Sequence, residues 1–192
     1  YSCFQSSVLN THAIFCESIS FKQLPEHGIT VEQTIRLFST ESHPCSYLEE
    51  QEATTVFIDP AVTIDRPLYS HLSGMGFRRS GNHLYEPRCS NCSACRSVRV
   101  ITDKFKLSRS QKRVWRNNAD ISFIEQRHFD AEMYFPLYER YINLRHYDGD
   151  MFPASLEQLE GFLAPAWGTT RYIEMHLDGQ LIGVAVVDRL EQ

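Results

Sequence analysis

Apolar and polar positions along this 192-residue chain alternate in short runs whose period changes repeatedly. Beyond Thr30, the residues Val31, Ile35 and Leu37-Phe38 give a short amphipathic piece. The run Ala53 to Ile58 (ATTVFI) is β-branched and aromatic, and Asp59-Pro60 stops it, which predicts a strand. Asp65 can cap a helix through Leu68, Tyr69 and Leu72, with Pro67 in its first turn and Gly74 closing it. Gly76 to Tyr85 reads as a hairpin turning at Gly81-Asn82, and Val98 to Ile101 as a short strand. Ser108 with Gln111 three residues later is a capping box, so a helix begins there.

After Asn117-Asn118-Ala119-Asp120 the composition changes, and the boundary between two units is expected at that point. Ile121 to Ile124 predicts a strand. Asp130 caps a long helix with Leu137, Tyr141 and Leu144 on one face and Tyr138, Ile142 and Arg145 on the adjacent one. Pro136 either kinks this helix or marks its true first turn. A polar loop, Arg145 to Met151, leads to a second helix capped at Ser155. Two strands then flank Asp178-Gly179, a strong two-residue hairpin signal. Such an order of elements predicts an α+β fold, with residues 1–29 poorly ordered, an N-terminal unit over 30–120 and a second unit over 121–192. No stretch approaches the length of a membrane-spanning helix, and residues 1–29 lack the basic and apolar regions of a signal peptide. The expected compartment is therefore cytoplasmic, where thiols stay reduced.

The formal net charge of −5 conceals a basic island. From Arg78 to Arg116 the chain carries eleven Lys and Arg against Glu86 and Asp103 alone. Within it, Arg109, Lys112, Arg113 and Arg116 fall at helical i, i+3, i+4 and i+7 spacing with no acidic partner on the same stripe. A solvated helix face usually mixes signs, so this one favours a phosphate-bearing partner. Val114 and Trp115 are read as lying off the stripe.

The same island holds RCSNCSAC, with Cys89, Cys92 and Cys95 at three-residue intervals among small polar residues. A loop of that kind can fold thiolates around one zinc ion or iron–sulfur cluster, for which four protein ligands are usual. Cys45 is the candidate for the fourth, with His43 and His83 as weaker substitutes; buried or disulfide-bonded cysteine is the competing reading. Cys3 and Cys16 have no partner at metal-site spacing.

Four segments in order, HPCSYLEEQEATTVFIDP, GFRRSGNHLYEPRCSNCSAC, RSQKRVWRNNAD and YERYINLRHYDGDMFP, resemble the bacterial aspartate/glutamate leucyltransferases, relatives of the arginyl-tRNA–protein transferases. The resemblance runs from about Thr30 to Leu190 and leaves residues 1–29 unmatched. It implies an N-degron enzyme that moves an aminoacyl group from charged tRNA to the α-amine of proteins beginning with Asp or Glu, marking them for degradation. It also implies a cysteine-containing domain followed by a GNAT-like acyltransferase domain. GNAT-like folds continue beyond such a hairpin, so the likeness implies a domain truncated at its C-terminus and a chain inactive as it stands. By the same likeness, Cys45, Cys89, Cys92 and Cys95 are the cluster or zinc ligands, and Arg109, Lys112, Arg113 and Arg116 face tRNA. Tyr138, Arg145, His146, Asp148 and Asp150 are placed near the transfer site.

An acidic first residue on the acceptor calls for a guanidinium fork, for which Arg145 is the candidate, with Arg78 or Arg79 behind it. For His146, Asp148 and Asp150, helix capping and turn formation compete equally with catalysis. By the resemblance to the bacterial members, the single Cys45, rather than a second C-x2-C pair, implies leucine over arginine as the donor residue. A non-catalytic zinc or iron–sulfur RNA-binding module would share the cysteines and basic helix, but leaves the Arg145–Met151 loop unexplained. A CoA-dependent acetyltransferase would not need so large a basic island.

Overall fold

The computed structural model describes residues 14–23, 31–149 and 151–191. Among the described residues, three antiparallel sheets and four α-helices make a mixed α+β fold. The largest sheet has the order β1-β2-β5-β7-β6, from β1 (Ile14–Gln23), β2 (Val31–Ser39), β5 (Thr55–Ile58), β7 (His83–Pro87) and β6 (Arg78–Ser80). The amphipathic piece after Thr30 is thus a strand, β2. Part of the segment expected to be poorly ordered is an edge strand, β1, paired with β2 from Ile14–Ser39 to Gln23–Val31. Ile19 packs against the core from that edge, an apolar anchor whose worth depends on β2 lying beside it. A small ribbon, β3 (His43–Pro44) with β4 (Glu52–Ala53), sits ahead of β5.

Helix α1 (Arg66–Met75) covers one face of this sheet. Asp65 Oδ1 accepts from the Leu68 N–H at 2.9 Å, as its N-cap position requires. The helix runs through Gly74 and ends at Gly76, whose φ of 111° is the left-handed conformation of a helix C-cap. Leu68, Tyr69 and Leu72 meet Ile35, Leu37, Val56, Ile58, Phe77 and Leu84 in the first core. All four residues of β5 are buried, which explains its unbroken apolar and β-branched run.

Beyond β7 the chain from Arg88 to Ile101 forms no regular element. The strand expected at Val98–Ile101 is absent, and Val98 stands 87% exposed. β-branched residues make a strand only beside another strand, and none is offered here. After one turn of 3₁₀ helix at Thr102–Lys104 comes α2 (Arg109–Asn117), with both halves of the Ser108/Gln111 capping box formed. No residue of α2 is buried.

The third sheet has the order β10-β9-β8, from β8 (Ser122–Gln126), β9 (Thr170–Leu177) and β10 (Gln180–Asp188). Its hairpin turns through Asp178 and Gly179, both at positive φ. Helices α3 (Ala131–Arg145) and α4 (Leu156–Leu163) pack on it through Tyr134, Leu159 and Tyr172, with Phe129, Phe135, Tyr138, Leu181, Val184 and Val186 beside them. The buried stripe of α3 therefore follows Tyr134, Tyr138 and Ile142, whereas Tyr141 and Leu144 are exposed. Pro136 is inside the helix.

The two cores are joined directly. Trp167 packs on Tyr69, ring centroids 5.5 Å apart. The Gly81 N–H donates to the Phe162 carbonyl at 3.0 Å, and the Ala166 N–H to Asn82 Oδ1 at 2.8 Å. Gly81 is held at φ 56°, and a Cβ there would run into the Gly161 carbonyl, so the hairpin turn is also a backbone-to-backbone docking point.

Candidate functional site

Two loops bring the cysteines together. The β3–β4 ribbon, closed by the Cys45 N–H donating to Gln51 O at 2.8 Å, presents Cys45 from one side. The irregular segment after β7 presents Cys89, Cys92 and Cys95 from the other, and all four line one cavity of about 330 Å³ with Arg78 and Arg96. None of the four is in a disulfide. The segment is tied down at its ends: the Arg88 N–H donates to Thr54 O at 2.8 Å, Ser97 Oγ to Gly76 O at 3.3 Å, and Arg99 to Gly74 O at 2.9 Å. The last two use carbonyls at the end of α1, where no intrahelical donor remains. Arg88 also pairs with Glu86 and with Glu17 of β1. His83 belongs to β7 and is outside this cavity's lining, and burial lowers its pKa. Among the described residues, no group of three or more His, Cys, Asp or Glu side chains is gathered closely enough to hold a metal ion. The sulfurs thus share a cavity without converging on one point.

The basic stripe is exposed along its whole length. Arg109, Lys112 and Arg116 line a second cavity, of about 490 Å³, with Leu107 and Trp115. Trp115 belongs with the cations and not, as its place off the stripe suggested, apart from them. Its position one step of the helical wheel beyond Lys112 is the cause.

The polar residues near the end of α3 separate into distinct environments. Tyr138 Oη donates to Gln158 Oε1 at 2.9 Å, bridging α3 to α4. Arg145 ends α3 on its exposed side, and Asp148 is also exposed. The His146 N–H caps the helix onto Ile142 O at 2.9 Å, while its Nε2 lies 2.9 Å from Tyr141 Oη. Asp150 lies outside the described residues. Tyr141, expected on an apolar face with Leu137 and Leu144, is exposed, and its ring meets that of His146 with centroids 4.9 Å apart.

A buried cluster escaped the sequence reading. Glu174, 2% exposed in the middle of β9, accepts from Tyr134 Oη at 2.7 Å and lies 3.0 Å from His176 Nε2 and 3.5 Å from Gln126 Nε2. At the other end of the sheet, Asp188 accepts from Tyr69 Oη at 2.7 Å, Arg79 Nε at 2.8 Å and Thr170 Oγ1 at 2.5 Å. Burial acts to raise both carboxyl pKa values. Hydrogen bonds outweigh it, from His176, Tyr134 and Gln126 for Glu174, and from Arg79, Thr170 and Tyr69 for Asp188, so both lie below the ordinary carboxylate range. Burial and the neighbouring carboxylate push the Tyr69 and Tyr134 phenols up. A carboxylate with a depressed folded pKa stabilises the fold fully above its unfolded pKa and ceases to do so as pH falls through the folded one. Urea unfolding at stepped pH should therefore show stability falling below about pH 5. The fall should be shallower in Glu174→Gln, and an identical profile would remove Glu174 as a source.

Residues 43–113 match the family model described as arginine-tRNA-protein transferase, N terminus, and residues 133–192 match the corresponding C terminus. Over 158 residues the chain is 48% identical to the aspartate/glutamate leucyltransferase of Hahella chejuensis, covering 82% of this chain and 67% of that one. The chain belongs to the arginine-tRNA–protein transferase family. Among its similar family members, the aspartate/glutamate leucyltransferase of Teredinibacter turnerae is 55% identical over 159 residues, 82% of this chain and 65% of the relative. That of Saccharophagus degradans is 46% identical over 158 residues, 82% and 67%. The chain spans about two thirds of the length of these curated relatives. The N-terminal family match takes in all four cavity cysteines and most of the basic stripe, ending at Arg113. The C-terminal match takes in Tyr138, Arg145, His146 and Asp148. Among the described residues, no helix is long and apolar enough to cross a membrane.

Proposed function

We propose that this protein transfers leucine from charged tRNA to the α-amine of proteins that begin with Asp or Glu, marking them for degradation in the cytoplasm. The observation that carries the reading is identity of 46–55% to aspartate/glutamate leucyltransferases across four fifths of the chain. The placement of a wholly exposed basic helix and an exposed Arg145 supports it. The sheet β8–β9–β10 with α3 and α4 is read as part of a GNAT-like acyltransferase unit. The cysteine segment and basic helix form the unit before it.

The chemistry asks for positioning more than for activation. An aminoacyl ester is already reactive, and an α-amine with a pKa of about 7.7–8.0 is partly unprotonated near neutrality. The amine nitrogen attacks the leucyl carbonyl carbon, an amide bond forms and the ester C–O bond to the tRNA ribose breaks. The amine loses a proton and the departing ribose oxygen gains one. Arg145 is assigned to the acceptor's acidic side chain, where a guanidinium fork meets a carboxylate. His146, oriented by Tyr141, is assigned to receive the proton, with Asp148 and Asp150, which follow it in the sequence, as further candidates. Tyr138 holds α3 and α4 in register through Gln158 and so positions the end of α3. Arg109, Lys112, Arg113 and Arg116 are assigned to the tRNA backbone.

Transfer of labelled leucine from leucyl-tRNA to an Asp-initiated peptide by the full-length protein tests this directly. Arg145→Ala should lower kcat/KM by about 10- to 100-fold, the range for losing hydrogen bonds to a charged group, and Arg145→Lys should recover only part of it. No transfer at all by the unaltered protein would refute the reading.

The four thiols match a zinc ion or iron–sulfur cluster in donor chemistry, although they are not drawn close enough in this structure for one ion: four soft donors, none in a disulfide, line one cavity beside Arg78 and Arg96, whose charges offset thiolates. Such a group would supply a crosslink between the Cys45 ribbon and the Cys89–Cys95 segment, with no part in the transfer step. Anaerobic purification should yield about one metal centre per chain by metal analysis. Cys92→Ser should lose it and lower the unfolding midpoint; an unchanged midpoint and no metal in the parent would leave the thiols without this role.

A further inference from the structure

Trp115 is 70% exposed, although an indole is the largest apolar side chain a protein can hide. It is not stranded among neutral residues. With Leu107 it forms the apolar part of a cavity of about 490 Å³ whose remaining lining is Arg109, Lys112 and Arg116. On the helical wheel Arg109, Arg116 and Lys112 follow one another within a narrow arc, and Trp115 comes next beyond Lys112, away from Arg113. Every residue of α2 is exposed, so among the described residues the indole covers no core, and its removal costs their packing nothing that burial would explain.

An aromatic face beside a row of cations is the pairing that a single-stranded nucleic acid satisfies. Its phosphates take the guanidinium and ammonium groups, and an unpaired base lies flat on the ring. A paired stem meets only half of this surface, because its bases are already stacked inside the duplex and cannot reach an indole. We propose that Trp115 is a stacking platform for an unpaired nucleotide of RNA, with Arg109, Lys112 and Arg116 holding the adjoining phosphates. The proposal rests on the reading of α2 as the tRNA-facing helix and deepens it, naming single-stranded RNA as what this cavity selects.

The test uses the full-length protein with a short unpaired RNA oligonucleotide and a fully paired RNA stem, each end-labelled for anisotropy. The 192-residue sequence has two tryptophans, Trp115 and Trp167, and the emission lost in Trp115→Phe relative to the parent reports on Trp115. The unpaired RNA should quench the parent's emission and bind more tightly than the stem. Trp115→Ala should weaken the unpaired RNA by about 5- to 150-fold, the cost of one lost base stack, while leaving stem affinity and the salt slope unchanged. Trp115→Phe keeps a ring and should retain most of the affinity, while the quenching by RNA disappears. Circular dichroism should show the helix intact in both.

Equal binding of the unpaired RNA by Trp115→Ala would overturn the stacking platform while leaving the basic stripe its role. By contrast, an unchanged salt slope in the Arg109→Glu/Arg116→Glu variant would overturn the tRNA-facing reading on which the platform rests. An acidic peptide that bound as tightly as the RNA, and depended equally on Trp115, would assign the cavity to a protein partner and overturn RNA as its occupant.

Discussion

Replacing Asp188 by Ala should destabilise the protein by about 3–5 kcal/mol, the cost of removing one partner from a buried ion pair. Asp188 is the point at which residues far apart in the chain meet. Arg79, 109 positions away, reaches it from β6, and Tyr69, 119 positions away, reaches it from α1. The Arg79 side chain is 9% exposed and that of Asp188 16%, so water replaces the lost carboxylate only in part. Arg79 would keep one long contact to Phe162 O at 3.5 Å, too weak to satisfy a buried guanidinium. Asp188→Asn, which keeps an acceptor oxygen, should cost less than the alanine. Urea unfolding monitored by near- and far-ultraviolet circular dichroism measures both. Because this network joins the first core to β10, the transition of Asp188→Ala should also broaden as the two cores unfold less cooperatively. A loss under about 1 kcal/mol, the range of exposed pairs, would mean that the pair is solvated.

The second large effect is on RNA. Arg109→Glu/Arg116→Glu removes two cations from the cavity on α2 and replaces them with repulsion. Plotting the logarithm of tRNA affinity against the logarithm of salt concentration should give a slope smaller by about 1.4–1.8 units, at about 0.7–0.9 per phosphate contact. At low salt the affinity itself should fall by about tenfold or more. The helix should survive, because both residues are exposed and the Ser108/Gln111 box that starts it is untouched. Transfer of leucine should then fail through KM for the tRNA, with little change at saturating tRNA. The opposite pattern, kcat lost and KM retained, would move α2 from the binding surface to the transfer chemistry.

Local chemistry was readable from the residues alone. Asp65, Ser108, Asp130 and Ser155 each cap the helix expected of them, because a cap needs only a side-chain oxygen and an N–H three residues away. The turns at Gly81-Asn82 and Asp178-Gly179 are local for the same reason, and the fold class follows from their order. The four segments that resemble the transferase family were equally legible, since recognition depends on residue identity and not on conformation.

Whatever needed a second segment was decided by tertiary structure. Val98–Ile101 has strand composition and no neighbour, so it is no strand, while Ile14–Gln23 gains one only because β2 lies beside it. On α3, two adjacent apolar stripes were open to burial. Packing turned Tyr134, Tyr138 and Ile142 inward, the first two into the cluster on the sheet, and left Tyr141 exposed beside His146. Glu174 looks like an exposed strand residue until Tyr134 and His176 close on it. Trp115 is expected off the basic stripe, yet it lines the same cavity as Arg109, Lys112 and Arg116. Periodicity states which residues share a face, but which face is buried depends on what packs against it, and that is a property of contacts between distant parts of the chain.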